Sequence, residues 1–228
     1  MMFTDSLFKL MERGIEEGHL ARRDVLRLVC STIYDPEWVR LDLRNWLSDT
    51  GVYAAMGADA RPLSPCPFSE KELRDADERN EIPLVAPAGL RRQHLAKAYN
   101  MQHWVFTESD VTSESGGNRD EWMLVSAGED LFRLGESCVD AAEAAKKTGQ
   151  GGLAFEEYTL FAHRLRHLTG KYPDTMNWTW LPKSSYVSSL VLSAGFPGDK
   201  ELFLNVWPWT EFHSNVGLRL ARRRGPRP

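Results

Sequence analysis

This chain of 228 residues contains little cysteine and no long apolar run. Its three cysteines, Cys30, Cys66 and Cys138, form no C-x-x-C pair, so the sequence indicates neither a zinc ribbon nor a disulfide framework. No segment approaches the roughly 18 consecutive apolar residues of a membrane-spanning helix. The acidic N-terminus also differs from a signal peptide. We therefore predict a soluble, cytoplasmic protein of prokaryotic type with reduced thiols and no membrane partner.

An excess of positive charge is absent as well, because the net charge is −4 and the isoelectric point is near 5.9. Nucleic-acid-binding domains usually carry a basic face, so nucleic acid is not predicted as the main partner. The exception is the C-terminal segment "RLARRRGPRP", whose five arginines could contact phosphates. We favour the alternative that this segment is a strand end followed by a solubilising tail.

The common sequence motifs of catalysis are also missing. The chain contains no P-loop, no G-x-G-x-x-G fingerprint and no G-x-S-x-G nucleophile elbow. The sequence therefore predicts no cofactor and no metal. Hydrophobic residues make up 42% of the chain and charged residues 26%, which is typical of a globular protein with a substantial core.

The first half of the chain is predicted to be helical. The runs "SLFKLMERGIEEG" and "RRDVLRLVCSTI" carry apolar residues at helical spacing. Asp35 and Pro36 mark the start of another helix, which we expect to end at Gly51, and Ser69 and Glu72 have the spacing of a capping box. The Gly- and Pro-rich run 51–68 predicts a loop. It divides a helical N-terminal region, 1–67, from an α+β region, 68–228, as two units or as one continuous domain.

The second half of the chain is rich in predicted strands. "HWVF" and "DEWMLVSAG" are expected to be strands joined by a polar loop, and "IPLVAPAG" a connection before a helix over 88–100. Two helices follow, in "CVDAAEAAKKTGQGG" and "FEEYTLFAHRLRHLTG", and then four short β-like runs. Strands that follow helices without regular βαβ alternation indicate an α+β fold with a mixed or antiparallel sheet and packed helices.

The helix "FEEYTLFAHRLRHLTG" places His163 and His167 four residues apart, which is the spacing of zinc-binding H-E-x-x-H helices. The catalytic glutamate of that motif is missing, and Arg164 and Arg166 lie between the two histidines. A helical projection aligns both histidines with Glu156, opposite the apolar residues. We therefore expect a polar face turned to solvent. If another element covers this face, the three residues would instead line the cleft of a hydrolase-type enzyme.

The chain contains eight tryptophans, and four of them occur in pairs two residues apart, Trp178 with Trp180 and Trp207 with Trp209. On a strand, this spacing puts both rings of a pair on one face. Exposed pairs would offer a stacking platform for a sugar, a nucleobase or a peptide, whereas buried pairs would fill a core. Pro208 lacks a backbone N–H and predicts an edge strand or a bulge, which favours an accessible rim.

We predict a binding or interaction protein that uses this Trp-rich surface to hold a small molecule or a protein partner. The predicted contact residues are Trp207, Trp209, Trp178, Trp180, Asn215 and His213. The alternative is the hydrolase with Glu156, His163 and His167 as catalytic candidates. A third alternative is that neither set has a role and that function lies in contacts between copies of the chain. A covered histidine face that lines a pocket would favour the enzyme, and open histidines with exposed tryptophan pairs would favour binding.

Overall fold

A computed structural model describes residues 13–14, 34–106, 109–115, 117–187, 189–199 and 201–224. Apart from Arg13 and Gly14, which are helical, the two helices predicted upstream of Tyr34 lie outside these residues. The described chain contains six helices and two sheets, and the helices lie mostly N-terminal to the strands. This architecture confirms the α+β class. None of the helices described is long and apolar enough to cross a membrane.

Several of the helices begin or end at recognisable capping residues. They are α1 Pro36–Asp49, α2 Val52–Met56, α3 Glu70–Glu78, α4 Arg92–Ala98, α5 Cys138–Lys147 and α6 Phe155–Thr169. The Asp35 carboxylate accepts a hydrogen bond from the Glu37 N–H at 3.0 Å, as its N-cap position predicts. Ser69 and Glu72 form the predicted capping box. Helix α6 ends at Gly170, whose φ of 82° is left-handed.

The strands form two sheets. They are β1 Glu81–Ala86, β2 Val111–Ser113, β3 Glu121–Ser126, β4 Trp178–Tyr186, β5 Leu190–Gly195, β6 Phe203–Pro208, β7 Val216–Gly217 and β8 Ala221–Arg224. One sheet has the antiparallel order β1-β3-β8. The other has the antiparallel order β2-β4-β5-β6, and β7 joins it parallel to the start of β4. Strand β6 therefore lies at a sheet edge, which confirms the prediction from Pro208.

Several local predictions were wrong because tertiary contacts override local sequence. The segment "IPLVAPAG" contains strand β1, in which Ile82 pairs with Val125 of β3. Pro83 is tolerated because β1 is an edge strand. "HWVF" forms a 3-10 turn, Trp104–Phe106, and not a strand. The predicted loop over 51–68 contains helix α2, and the predicted polar loop before β3 contains β2.

The main hydrophobic core draws on both sides of the predicted boundary at residue 67. Leu43 and Trp46 of α1 belong to the same buried cluster as Ile82 of β1 and Phe161 of α6. Helix α6 contacts β1, β4 and α4, so it is the central helix of the described fold. Each fully buried large apolar side chain stabilises the fold by about 1.5–3 kcal/mol.

The arginines of the C-terminal segment are engaged within the fold as far as Arg224. Strand β8 pairs with β3. Ion pairs join Arg222 to Glu81 at 2.6 Å, Arg223 to Glu157 at 2.6 Å, and Arg224 to Glu72. These contacts agree with the strand-end interpretation, because each of these guanidinium groups forms an ion pair with a carboxylate of the same chain.

Candidate functional site: an aromatic pocket beside His163

The polar face expected on α6 is not turned to solvent. Glu156 is only 4% exposed, and His163 is half-buried between Tyr99 at the end of α4 and Tyr172 after α6. The expectation of a solvated face was wrong because a helical projection shows which residues share a face, but not which elements pack over it.

The structure does not bring the three catalytic candidates together. The Glu156 carboxylate accepts a hydrogen bond from the Ser113 hydroxyl of β2. Two helical turns, about 10 Å along the axis, separate Glu156 from His163. His163 lines a cavity, whereas His167 is half-buried outside the lining of that cavity. The covered, pocket-lining face that would favour an enzyme is therefore present at His163 alone.

The N-terminal end of α6 is held by buried charge. The Glu157 carboxylate accepts hydrogen bonds from the Ala154 N–H at 2.6 Å and from Arg223 at 2.6 Å, and Lys183 lies 3.3 Å away. Burial alone would raise the pKa of Glu157, but Arg223 and Lys183 bring it below its ordinary value. Burial and the neighbouring Glu157 raise the pKa of Glu121, which shares Lys183. These contacts fix the helix that carries His163.

The cavity beside His163, which we call the aromatic pocket, has a volume of about 490 Å³. Its walls come from the end of α4 and the following loop, α6 and the turn after it, and the β5–β6 connection. The lining residues are Tyr99, Asn100, Met101, Gln102, His103, His163, Tyr172, Phe196, Glu201, Leu202 and Phe203.

Four rings at this site hold one another in position. The Tyr99 and His163 rings stack with their centroids 3.6 Å apart and an interplanar angle of 4°. Tyr172 and Phe196 form a second stack at 4.0 Å and 8°. The His163 ring stands at 89° to that of Tyr172, with centroids 5.3 Å apart. Stacked and edge-to-face pairs of this kind restrict ring motion, so this side of the pocket is preorganised.

A short hydrogen-bonded chain reaches His163 from the surface. Arg166 Nη1 donates to the Tyr172 hydroxyl at 2.8 Å, and that hydroxyl lies 3.4 Å from His163 Nδ1. The Arg166 guanidinium also lies over the Tyr172 ring, 4.4 Å from its centroid. Burial, together with the Arg166 charge, lowers the pKa of His163 to about 3. The imidazole is therefore neutral at physiological pH.

A second, shallower cavity of about 450 Å³ flanks the same loop. Met101, Gln102 and His103 line both cavities. Trp104 lines only the second cavity; it is 38% exposed and makes an edge contact with Tyr186.

Sequence reasoning found His163 but missed the rings around it. Tyr99, Tyr172 and Phe196 lie just after three different elements, α4, α6 and β5. Single aromatic residues that follow helices and strands form no motif. The high aromatic content of the chain, 11%, was the only signal available.

The tryptophan pairs differ from one another in burial. Trp180 is completely buried, and its indole N–H donates to the Glu136 carbonyl at 3.1 Å. Trp180 therefore cannot form part of an exposed stacking platform in this fold, which corrects that part of the prediction. Its partner Trp178 is half-buried and packs against the same small core.

Trp207 and Trp209 are half-buried at the end of edge strand β6. The His213 ring lies 3.9 Å from that of Trp207, between centroids, and Asn215 is exposed nearby in the chain. The assignment of these residues to ligand binding stays a prediction.

No group of three or more His, Cys, Asp or Glu residues that could hold a metal ion occurs within the part of the chain that the structure describes. Comparison with protein-family models, with curated proteins and with solved structures finds no match for this chain.

The lowered pKa of His163 predicts a pH-dependent stability. The unfolded side chain has an ordinary pKa of 6.5 and the folded one a pKa of about 3, so protons bind the unfolded chain more readily between these values. The contribution of the neutral His163 side chain to the free energy of unfolding is complete above the unfolded pKa. It is lost as the pH falls, by up to about 1.4 kcal/mol per pH unit.

Urea unfolding of the wild type and of His163→Gln at about pH 7.5 and about pH 5.5 measures this contribution. From the higher to the lower pH, the free energy of unfolding of the wild type should fall by about 1 kcal/mol more than that of the variant. His94 and His103, whose pKa values are also lowered by burial, are present in both proteins and cancel in the difference. Equal losses in the two proteins would show that His163 titrates normally.

Proposed function

We propose that this protein binds a small molecule and that the aromatic pocket is its binding site. The observation that carries the proposal is a cavity of about 490 Å³ with stacked aromatic rings in its wall and the neutral imidazole of His163 among its lining residues. Small-molecule sites typically measure about 300–1,000 Å³ and combine apolar walls with a few polar groups.

The lining supplies two kinds of interaction. Phe203, which is 49% exposed, offers aromatic surface that a ligand would remove from water, and the buried rings of Tyr172 and Phe196 lie behind it in the pocket wall. His163 and the loop 100–103 offer polar groups that would fix its orientation. Because the rings are already packed against one another, little ordering free energy is needed on binding.

The hydrolase alternative receives less support from this geometry. A general base works best with a pKa near the operating pH, and the pKa of His163, about 3, lies far below it. Glu156, the acid predicted to accompany His163, accepts a hydrogen bond from Ser113. It lies two helical turns away from His163. Binding without a chemical step is therefore the function we favour.

The rim formed by Trp207 and Trp209 is the second candidate, as a contact surface for a small molecule or a protein. Its support is that both rings lie at the end of an edge strand and are only half-buried. Trp178, His213 and Asn215 would complete this surface.

We retain the expectation of a reducing, cytoplasmic setting. Cys138 is a free, buried thiol, and Cys66 is buried as well. Burial raises the pKa of Cys138 to about 12, so this thiol stays protonated and does not support an alternative role as a nucleophile.

A thermal-shift screen with sugars, nucleotides, aromatic heterocycles and metal ions tests the proposal. Phe203→Ala removes an exposed ring from the pocket lining, and Phe212→Ala removes an exposed ring outside it. We expect ligands that raise the melting temperature of the wild type to act normally on Phe212→Ala. Their effect on Phe203→Ala and on His163→Ala should be reduced or lost.

The same screen separates the two candidate sites. A ligand effect that Trp209→Ala abolishes and Phe203→Ala preserves would move the function to the tryptophan rim. A metal-dependent shift abolished by His163→Ala would restore the metal-site hypothesis for α6.

A further inference from the structure

We propose that the aromatic pocket selects an organic ammonium ion, a molecule that joins an apolar or aromatic group to a protonated amine. This inference rests on the proposed function, since it concerns the same pocket, and it names the chemical class of the ligand. The observation that carries it is an exposed carboxylate, that of Glu201, beside the exposed aromatic ring of Phe203 in the lining of the pocket.

The charge of the pocket comes from one side chain. Among the lining residues that the structure describes, Glu201 is the only one that is charged at neutral pH. Burial lowers the pKa of both lining histidines, to about 3 for His163, so His103 and His163 supply no positive charge. An anionic ligand would therefore meet a carboxylate and no opposite charge, whereas a cationic ligand would meet its counter-charge.

Glu201 and Phe203 lie on the same side of the chain where it enters β6. Side-chain burial alternates along this segment: Glu201 and Phe203 are exposed, and Leu202 and Leu204 are buried. The alternation is that of an extended chain, in which residues two apart share a face. Because the carboxylate and the ring are both exposed, a ligand reaches them directly from solvent.

The Glu201 carboxylate is available to a ligand. No ion pair or hydrogen bond joins it to another residue in the described part of the chain. An ammonium group supplies a positive charge and N–H donors to such a carboxylate. Asn100 and Gln102, which also line the pocket, are exposed, and their amide oxygens accept the remaining donors.

The aromatic lining favours an organic cation over a metal ion. A ligand cation above the face of an aromatic ring is attracted by the electrons of the ring, and the exposed Phe203 ring offers such a face. The apolar part of the ligand would be removed from water against the same ring. A metal ion such as Ca²⁺ takes about six to eight oxygen ligands, and the described lining contains a single carboxylate.

The nearest positive charge described around these rings, that of Arg166, does not line the pocket. The Arg166 guanidinium lies 4.4 Å from the centroid of the Tyr172 ring, and the Phe196 ring stacks on Tyr172 at 4.0 Å. A ring has two faces, so Arg166 and Phe196 occupy opposite faces of Tyr172. Arg166 is also exposed, so water screens its charge.

Three probes of similar size test the proposal by isothermal titration calorimetry at neutral pH: benzylammonium, the uncharged benzyl alcohol and the anion benzoate. The wild type should bind benzylammonium about tenfold more tightly than benzyl alcohol, because the ion pair and the aromatic ring both favour the cation. Benzoate should bind least.

Two variants with the same change of charge identify the group responsible. In Glu201→Gln, which keeps the size of the side chain, the ratio of the benzylammonium and benzyl alcohol affinities should fall to about two- to threefold, the part that the ring supplies. Glu143→Gln, which removes an exposed carboxylate of α5 outside the pocket lining, should keep the wild-type ratio.

The dependence on salt is a second readout that a change in pocket shape would not produce. Raising NaCl from about 0.05 M to about 0.5 M should weaken the binding of benzylammonium to the wild type several-fold, because salt screens exposed charges. The affinity for benzyl alcohol should stay constant. In Glu201→Gln the effect of salt on benzylammonium should largely disappear.

The outcomes distinguish the ammonium proposal from the proposed function. Equal affinities for benzylammonium and benzyl alcohol in the wild type, or a ratio that Glu201→Gln leaves unchanged, would overturn the ammonium proposal while the pocket stays a binding site. If no probe binds but the thermal-shift screen yields a ligand of another class, the ammonium proposal alone fails. If neither experiment yields a ligand, both fail.

Discussion

Replacement of Asp174 by asparagine is expected to lower the free energy of unfolding by about 3–5 kcal/mol, because it leaves a buried guanidinium without its counter-charge. Arg219 is 2% exposed, and its Nη2 lies 2.7 Å from Asp174 Oδ1. Tyr158 and Thr179 also donate to the carboxylate, at 2.9 and 2.8 Å. One side-chain amide cannot replace all of these contacts.

The asparagine variant isolates the charge from other effects. Asp174 has a positive φ of 55°, a conformation that asparagine tolerates better than alanine. Its volume is nearly unchanged. Asp75→Asn, which breaks an exposed pair with Lys71, serves as the matched control and should unfold as the wild type does. Urea denaturation followed by circular dichroism measures both, and similar midpoints for the two variants would contradict the prediction.

The Asp174 network also supports the proposed site. The Phe196 N–H donates to the Asp174 carbonyl at 3.1 Å, and Tyr172 lies two residues earlier in the same turn. The rings of Tyr172 and Phe196 form one of the aromatic stacks of the pocket. A variant that loosens this turn should therefore weaken ligand binding even where the chain remains folded.

Replacement of Trp180 by alanine is expected to cost about 3–5 kcal/mol of stability, since it deletes a fully buried indole and leaves a cavity. Trp180 packs with Cys138, Val191 and Leu218 in the smaller core cluster. Its indole N–H also satisfies the Glu136 carbonyl. Trp104→Ala, at a site 38% exposed, is the control; it loses the edge contact with Tyr186 and should cost about 1 kcal/mol, clearly less than Trp180→Ala.

The comparison of Trp180→Ala with Trp104→Ala tests whether Trp180 is a core residue or part of a ligand platform. A core residue gives a large loss of stability that is independent of any ligand. If Trp180→Ala were as stable as Trp104→Ala, the Trp180 indole would not stabilise the core as its burial indicates. A role of Trp180 in a ligand-stacking surface would then be open again.

The start of α1, the capping box of α3 and the end of α6 at Gly170 were predictable because each depends on residues a few positions apart. Pro208 likewise indicated an edge strand from its missing N–H alone. Strand β1 was missed since its pairing partner, β3, lies about forty residues later in the chain. Local propensity does not contain that pairing.

By itself, the sequence determined the start of α1, the capping box of α3, the end of α6, the edge strand and the α+β class, all of which follow from backbone chemistry and short-range periodicity. Only the tertiary structure decided that Glu156 and His163 are covered and that Trp180 is core. It also brought Tyr99, Tyr172 and Phe196 to His163 from three separate elements. The physical reason is that burial and ring stacking depend on distances between segments far apart in the chain, and helical spacing carries no information about them.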